Sequence, residues 1–258
     1  MDYIQAIESN LHQFYEFIAL KGGLELIEKE HYSYVRNHNA SWPNYVFRIN
    51  LDWLQQEGFI SSLTEKMRKK TLPPFLVTLE PDNPEKFYRI VEKHGMRQIF
   101  SWTGMAIEGA HYQEADHDGG GLKVFNVSSY NLLADWINVV NNSLFNSKML
   151  DAGLMKNLYQ IKQMNLYLGM VSGSPVATSL SFQKNNVAGL YMIATMPDFR
   201  GYGYGTIITR HAIEQCFKQD ARYIVLHSSP MAENIYRKIG FREYCKFGVL
   251  WMVGKEYR

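Results

Sequence analysis

Arg200, Gly203 and Gly205 carry the densest chemical signal in this chain. They stand in Thr195-Met196-Pro197-Asp198-Phe199-Arg200-Gly201-Tyr202-Gly203-Tyr204-Gly205-Thr206, where glycines alternate with tyrosines directly after an arginine. An apolar run, Val187 to Ala194, comes just before, and a helical pattern starting near Tyr204 comes just after. A glycine-rich turn that opens a helix leaves backbone N–H groups unpaired and pointing outward, at the positive end of the helix dipole. That combination suits a phosphate or pyrophosphate. Glycine lets the backbone approach the ligand and takes positive φ at little cost. Two other glycine-rich motifs do not fit. A Walker loop ends in Gly-Lys-Ser/Thr, and here Thr206 follows Gly205 with no lysine. A dinucleotide fingerprint reads G-x-G-x-x-G near the start of a βαβ unit, and here the spacing is G-x-G-x-G, late in the chain. Taken alone, the stretch also reads as a plain tight turn.

The spacing that fits is R-x-x-G-x-G, with Ala194-Thr195-x-Pro197 upstream. This resembles the acyl-CoA-binding motif of the GNAT superfamily of N-acyltransferases. The resemblance continues through a β-like run, Arg222 to His227, into Ser228-Ser229-Pro230-Met231-Ala232-Glu233-Asn234-Ile235-Tyr236-Arg237-Lys238-Ile239-Gly240-Phe241. The family commonly shows Asn-x-x-Ala-x-x-hydrophobic-Tyr-x-x-x-Gly-Phe there. Ala232, Ile235, Tyr236, Gly240 and Phe241 match, and Ser229 stands where the family has asparagine. Serine can still donate and accept a hydrogen bond. The match spans residues 122 to 253, and the two motifs occur in order.

The resemblance implies an N-acetyltransferase using acetyl-CoA as co-substrate, with no metal. It places the pyrophosphate over Arg200, Gly201, Tyr202, Gly203, Tyr204, Gly205 and Thr206. The pantetheine arm would pair with the exposed edge of the strand near Met192, Ile193, Ala194 and Thr195, like an added strand, and Ser229 would touch the cofactor. In the family the tyrosine at the position of Tyr236 often protonates the departing thiolate, which makes Tyr236 the catalytic candidate. Alone, Tyr236 reads more often as a half-buried helix tyrosine, and its place in the matched motif is what favours the catalytic role. The amine must attack in its neutral form, so a base is needed. The family often uses water or a glutamate on the strand before the glycine loop, and this strand offers only Tyr191. His227 ends a strand near the presumed cleft, either as that base or as a histidine bonded to backbone. A protein that kept the cofactor loop but lost catalysis, a CoA-binding sensor or interaction module, is the alternative function.

Elements that would position these groups can be read around them. Residues 122–127 predict a strand, and Ser128 or Ser129 caps a helix running through Asn146. A shorter helix follows over 151–163, then a hairpin of residues 166–171 and 176–182 across Gly173-Ser174-Pro175. Residues 187–195, 224–227 and 241–253 predict strands, with helices after the glycine loop and over 231–239. The fold class is α/β in the α+β layered sense: a mixed, mostly antiparallel central sheet flanked by helices, as the GNAT resemblance implies. In the N-terminal half, Ile4, Ile7, Leu11, Phe14 and Ile18 make an amphipathic helix. Residues 45–51, 75–79 and 96–107 predict strands, and 84–94 a helix. Phe87-Tyr88-Arg89 then Gly95-Met96-Arg97 parallels Ile235-Tyr236-Arg237 then Gly240-Phe241-Arg242. Either the strand-helix-strand units match by chance, or the chain is a tandem whose N-terminal copy lost its phosphate cradle. The tandem reading gives a degenerate GNAT-like or substrate-shaping domain at 1–112, a linker at 113–121 and a GNAT acetyltransferase domain at 122–258.

Composition bounds the remaining classes. The 258 residues suit one large or two modest domains, with 46% hydrophobic and 20% charged residues. A net charge of +2, with no dominant basic block, argues against a nucleic-acid partner, including the tRNA of an aminoacyl- or peptidyl-transferase. Lys66-Met67-Arg68-Lys69-Lys70 reads as a solvated helix end. Cys216 and Cys245 are too few for a disulfide scaffold and lack metal spacing, and Cys216 falls on an apolar helix face. Asp116-His117-Asp118 sits in a polar, glycine-rich run that reads as solvated linker rather than a metal site. The chain starts Met-Asp with no basic-then-apolar leader and has no stretch long enough to span a bilayer, so no membrane partner and a cytoplasmic location are expected. Specificity for a small-molecule or peptide amine would lie between the halves, where Trp42, Tyr45 and Trp102 line a pocket or fill a core. The oligomeric state is left open by the sequence.

Overall fold

The structure is a computed structural model that describes residues 1–114, 120–145 and 147–253. Asp116-His117-Asp118 and the middle of the 113–121 segment lie outside the described residues. The chain opens with α1 (Tyr3–Gly22), capped by the Asp2 carboxylate on the Gln5 N–H and closed by Gly23 at φ 71°. Three short strands follow, β1 (Glu25–Glu28), β2 (Ser33–Arg36) and β3 (Asn44–Phe47). Next come α2 (Leu51–Leu54), α3 (Glu57–Arg68), β4 (Phe75–Leu79), α4 (Pro84–Lys93) and the long β5 (Met96–Glu108). The second half runs β6 (Lys123–Asn126), α5 (Tyr130–Val140), α6 (Ala152–Leu158), β7 (Met164–Val171), β8 (Ser174–Lys184) and β9 (Val187–Thr195). It ends with α7 (Tyr204–Lys218), β10 (Tyr223–Ser228), α8 (Glu233–Ile239) and β11 (Arg242–Met252).

All eleven strands join one sheet in the order β1-β2-β3-β4-β11-β5-β10-β9-β8-β7-β6. The two halves are built alike. β1, β2 and β3 pair antiparallel and β3 pairs β4 parallel; β7, β8 and β9 pair antiparallel and β9 pairs β10 parallel. Each half then sends one helix and one last strand onward, α4 with β5 and α8 with β11. Those last strands are exchanged: β5 pairs β10 of the second half, and β11 pairs β4 of the first. They also pair with each other, with Trp102 opposite Phe247 and Gly104 opposite Cys245. The sequence echo between residues 75–97 and 223–242 therefore corresponds to matching places in one pseudo-symmetric sheet.

Side chains alternate between two faces of this sheet. On the front, α1, α5 and α6 bury Ile7, Leu11, Phe14, Ile18, Trp136 and Leu158 with Phe182, Val225, Phe247 and Val249. On the back, α7 and α8 pack over the second half, and α3 and α4 over the first. Cys216 lies in the back core as its helical position predicts. Four expectations need correction. Ile4 is 42% exposed, while α1 also buries Asn10, His12 and Tyr15, because this helix faces both the sheet and α6. The strand expected over 45–51 ends at Phe47, where Arg48 takes φ 53°. The helix expected to reach Asn146, a residue outside the described set, ends regular α geometry at Val140 and widens into a π turn over 141–145. The helix expected over 151–163 stops at Leu158.

Candidate active site

The edge of β9 opens because of its own backbone. Against β8, Thr178 pairs with Ala194 and Leu180 with Tyr191, so Met192 and Ile193 together face Ser179. This is a β-bulge, with Met192 at φ 48° and its carbonyl taken by the Thr178 hydroxyl at 2.9 Å. The Ser179 carbonyl left by the bulge accepts from the Trp136 indole at 3.2 Å. On the other side, β9 pairs with β10 only as far as Leu190 opposite Leu226. Beyond that point the strands part, leaving the β10-facing edge of residues 191–195 without a strand partner.

The glycine turn sits at the end of this opening. Gly201 and Gly203 take φ 87° and 83°, where any side chain would be strained, and a Cβ at either would meet nothing within 4 Å. Gly203 caps α7 without a side-chain hydrogen bond. The Thr206 and Ile207 N–H groups turn back to the Gly203 carbonyl, at 2.9 and 3.1 Å. The N–H groups of Gly201, Tyr202, Gly203, Tyr204 and Gly205 take no partner among the described residues. Five unpaired donors thus follow one another at one helix start, an arrangement that suits a phosphate. Arg200 ties the turn to its surroundings: its guanidinium donates to the Thr195 carbonyl and to the Ser143 carbonyl, both at 3.2 Å. The Tyr204 hydroxyl donates to the Gly120 carbonyl at 3.2 Å, and the Tyr202 ring stacks on the Tyr204 ring.

The sequence-expected residues therefore fall along one path: Ile193, Ala194 and Thr195 on the open edge, then residues 200–206 at the turn. Ser229, exposed, lies just after β10, with its hydroxyl unpaired among the described residues. Tyr236 lies on α8, on the back face, packed edge-on to Phe241 with ring centroids 5.9 Å apart. Its hydroxyl bonds nothing among the described residues and is not one of the sealed unpaired atoms. Burial raises its pKa above the ordinary phenol value. Trp42 is buried core, while Trp102 and Tyr45 are half-buried at the front.

His227 departs from the backbone-bonded reading. Part of the residue reaches solvent, yet both ring nitrogens are sealed and neither makes a hydrogen bond. Its side chain is on the front face, edge-on to Phe247 at 4.7 Å and near Trp102 at 6.2 Å and Tyr191 at 6.4 Å. Burial lowers its pKa to about 3, helped by His12 of α1. Sequence reading missed the front wall of this site. Asn10 of α1 accepts from the Tyr191 hydroxyl at 2.7 Å, and Phe14 stacks on Tyr191 at 4.0 Å. The available signal was a polar residue beside Leu11 on the apolar face of α1. A second missed group bridges the halves: Thr103 of β5 and Lys246 of β11 both donate to Glu233 of α8, holding its carboxylate below its usual pKa. The two thiols are unpaired, and burial pushes both up to about 12, so neither is a nucleophile at neutral pH. Among the described residues no group of His, Cys, Asp or Glu is arranged to hold a metal, and no helix is long and apolar enough to cross a membrane.

A family model described as an acetyltransferase (GNAT) domain matches residues 133–246. No curated protein sequence matches significantly. Among solved structures, the chain is similar to a GCN5-related N-acetyltransferase from Kribbella flavida, at TM-score 0.72 and 16% identity over 100% of this chain and 97% of that one. It is similar to a GCN5-related N-acetyltransferase from Sphaerobacter thermophilus, at TM-score 0.62 and 14% identity over 80% and 70%. It also resembles a tandem GNAT protein from the clavulanic acid biosynthesis pathway, at TM-score 0.58 and 10% identity over 85% and 77%. At these identities the structures speak to fold alone, and that fold agrees with the family match and with the opened strand and glycine turn. Residues 133–246 thus match a GNAT acetyltransferase domain model, within a mixed, mostly antiparallel sheet of the fold seen in these GNAT structures.

Proposed function

We propose that the protein is an acyl-CoA-dependent N-acyltransferase that moves an acetyl group from acetyl-CoA to a primary amine of a small molecule or peptide. The observation that carries this reading is the alignment of five unpaired N–H groups at residues 201–205 with the free edge of residues 191–195. A pyrophosphate and an amide-bearing arm need those two features end to end. Bound acetyl-CoA would supply a thioester carbonyl and a thiol leaving group. The chain's own groups do the rest. Residues 201–205 hold phosphate oxygens by main-chain donors, and Arg200 keeps the turn in place. The strand edge orients the arm.

Tyr236 lies on the back face with a hydroxyl that bonds nothing among the described residues. A phenol raised above 10 gives up its proton less readily than a thiol of pKa about 8.5. Its role is then a hydrogen bond to the sulfur as charge develops there, with water as the final proton source. The two unpaired thiols fit a reducing compartment such as the cytoplasm. Calorimetry with acetyl-CoA, followed by thiol release over a panel of primary amines, tests the function. Binding and amine-dependent thiol release are expected. Tight binding with no thiol release from any amine would favour a CoA-binding sensor.

A further inference from the structure

We infer that His227 is the group on this chain that receives the proton of the acceptor, from the face of the sheet opposite Tyr236. The inference rests on the acyltransferase reading above and deepens it. The ring lies at the first residue past the last β9–β10 pair, where the strands begin to part. It belongs to the front core face with Val225, Tyr191 and Phe247, whereas Tyr236 belongs to the back with Leu226. The imidazole packs among aromatic rings, yet among the described residues no hydrogen bond uses it: both nitrogens are sealed and unpaired. An unpaired buried polar atom is a cost that native structures rarely keep without a use. One ring nitrogen carries a lone pair and the other an N–H, so an amine entering the site has both a proton acceptor and a donor waiting.

The surroundings set when this ring acts. The rings packed on it are Tyr191 from β9, Trp102 from β5 and Phe247 from β11, and His12 from α1 acts on it electrostatically. Arg48 in turn lowers His12, after the larger effect of burial. Burial keeps the His227 ring neutral, so its lone pair is free at neutral pH. Entry of an acceptor with its water relieves that burial and returns the ring toward its ordinary basicity. The proton balance closes simply. The acceptor nitrogen's lone pair forms the bond to the acyl carbon, and its N–H proton passes to the free ring nitrogen. The carbon–sulfur bond breaks with its electron pair on sulfur. The imidazolium returns its proton to water, and sulfur takes one from water.

The test uses full-length protein, its His227→Phe and His227→Ala variants, acetyl-CoA, and hydroxylamine, a nucleophile small enough for any acceptor chamber. Phenylalanine fills the ring's space among aromatic neighbours and removes both orphan nitrogens. H227F is expected to melt at or above the wild-type temperature and to bind acetyl-CoA within about threefold of wild type. Hydroxamate formation should fall at least about 100-fold in both variants. Imidazole added at millimolar concentration should restore it in H227A but not in H227F. In the cofactor-free wild type, the His227 ring resonances should not titrate between pH 8 and 5. Hydroxamate formation by H227F at the wild-type rate overturns the inference while leaving the acyltransferase reading intact. So does an ordinary His227 titration. A wild type that binds acetyl-CoA but makes no hydroxamate overturns the inference and favours the CoA-binding sensor. A wild type that does not bind acetyl-CoA overturns the acyltransferase reading, and the inference with it.

Discussion

Gly203 shows how much of this site is backbone. Its positive φ and its place before Tyr204 start α7 without a side-chain cap, leaving the N–H groups of the turn unpaired among the described residues while Arg200 braces the turn from outside. Gly203→Ala adds a methyl into open space, yet it places an L residue in a region that costs roughly 1 kcal/mol or more. The expected result is a roughly tenfold weaker acetyl-CoA dissociation constant by calorimetry, with the melting temperature shifted by only a few degrees. Tyr236→Phe should behave differently. It removes one hydroxyl that no described residue bonds, so affinity for acetyl-CoA stays near wild type and kcat falls about tenfold. A kcat equal to wild type would take Tyr236 out of the reaction.

Among the elements, β9 and α1 act as a pair. β9 is straight and paired through Leu190, then bulged and free, and α1 lies across its front face. The contact is close at Gly189, where a Cβ would come within 1.9 Å of the Asn10 side-chain oxygen and 2.6 Å of the Tyr191 ring. Gly189→Ala must therefore push α1 away or turn Tyr191, and should cost about 1–3 kcal/mol as overpacking does. Thermal melts should show a drop of several degrees, and the Asn10–Tyr191 hydrogen bond should be lost. Most of β9 was legible in the sequence as an apolar run bounded by a turn. The bulge was not, because it depends on the register against β8 and on Thr178 and Trp136 reaching carbonyls from elsewhere.

Across the whole molecule, the exchanged strands make the halves interdependent. β11 pairs with β4 and β5, both contributed by residues 1–112, and β10 pairs with β5. A fragment of residues 113–258 would leave β11 without either partner and β10 with an open edge. It is expected to aggregate or stay unfolded, as judged by circular dichroism and size-exclusion chromatography. Co-expression with residues 1–112 should recover soluble protein. Acid stability is a second whole-molecule property. His12 and His227 have folded pKa values of about 3, against an unfolded value near 6.5. Between those limits the unfolded chain binds protons that the folded chain refuses. Stability is complete above pH 6.5 and falls with pH below it, by up to about 1.4 kcal/mol per pH unit for each ring. Urea melts at pH 7, 6 and 5 should show that loss, and His227→Phe should show a smaller one.

The local patterns of residues 75–107 and 187–252 already state strand, turn, helix and strand. The reason is that those elements are long or carry their own punctuation: Pro84 at a helix start, Gly240 at a helix end, and the glycines of residues 201–205. The glycine turn itself was readable for the same reason, since backbone geometry there is set by the residues in it. The short strands β1 and β2 carry too few residues for a periodic signal. The strand exchange and the pairing of β5 with β11 involve residues separated by more than a hundred positions. No local spacing encodes such contacts. Tertiary packing alone brought Trp102, Tyr191 and Phe247 around that imidazole and left both of its nitrogens without a partner.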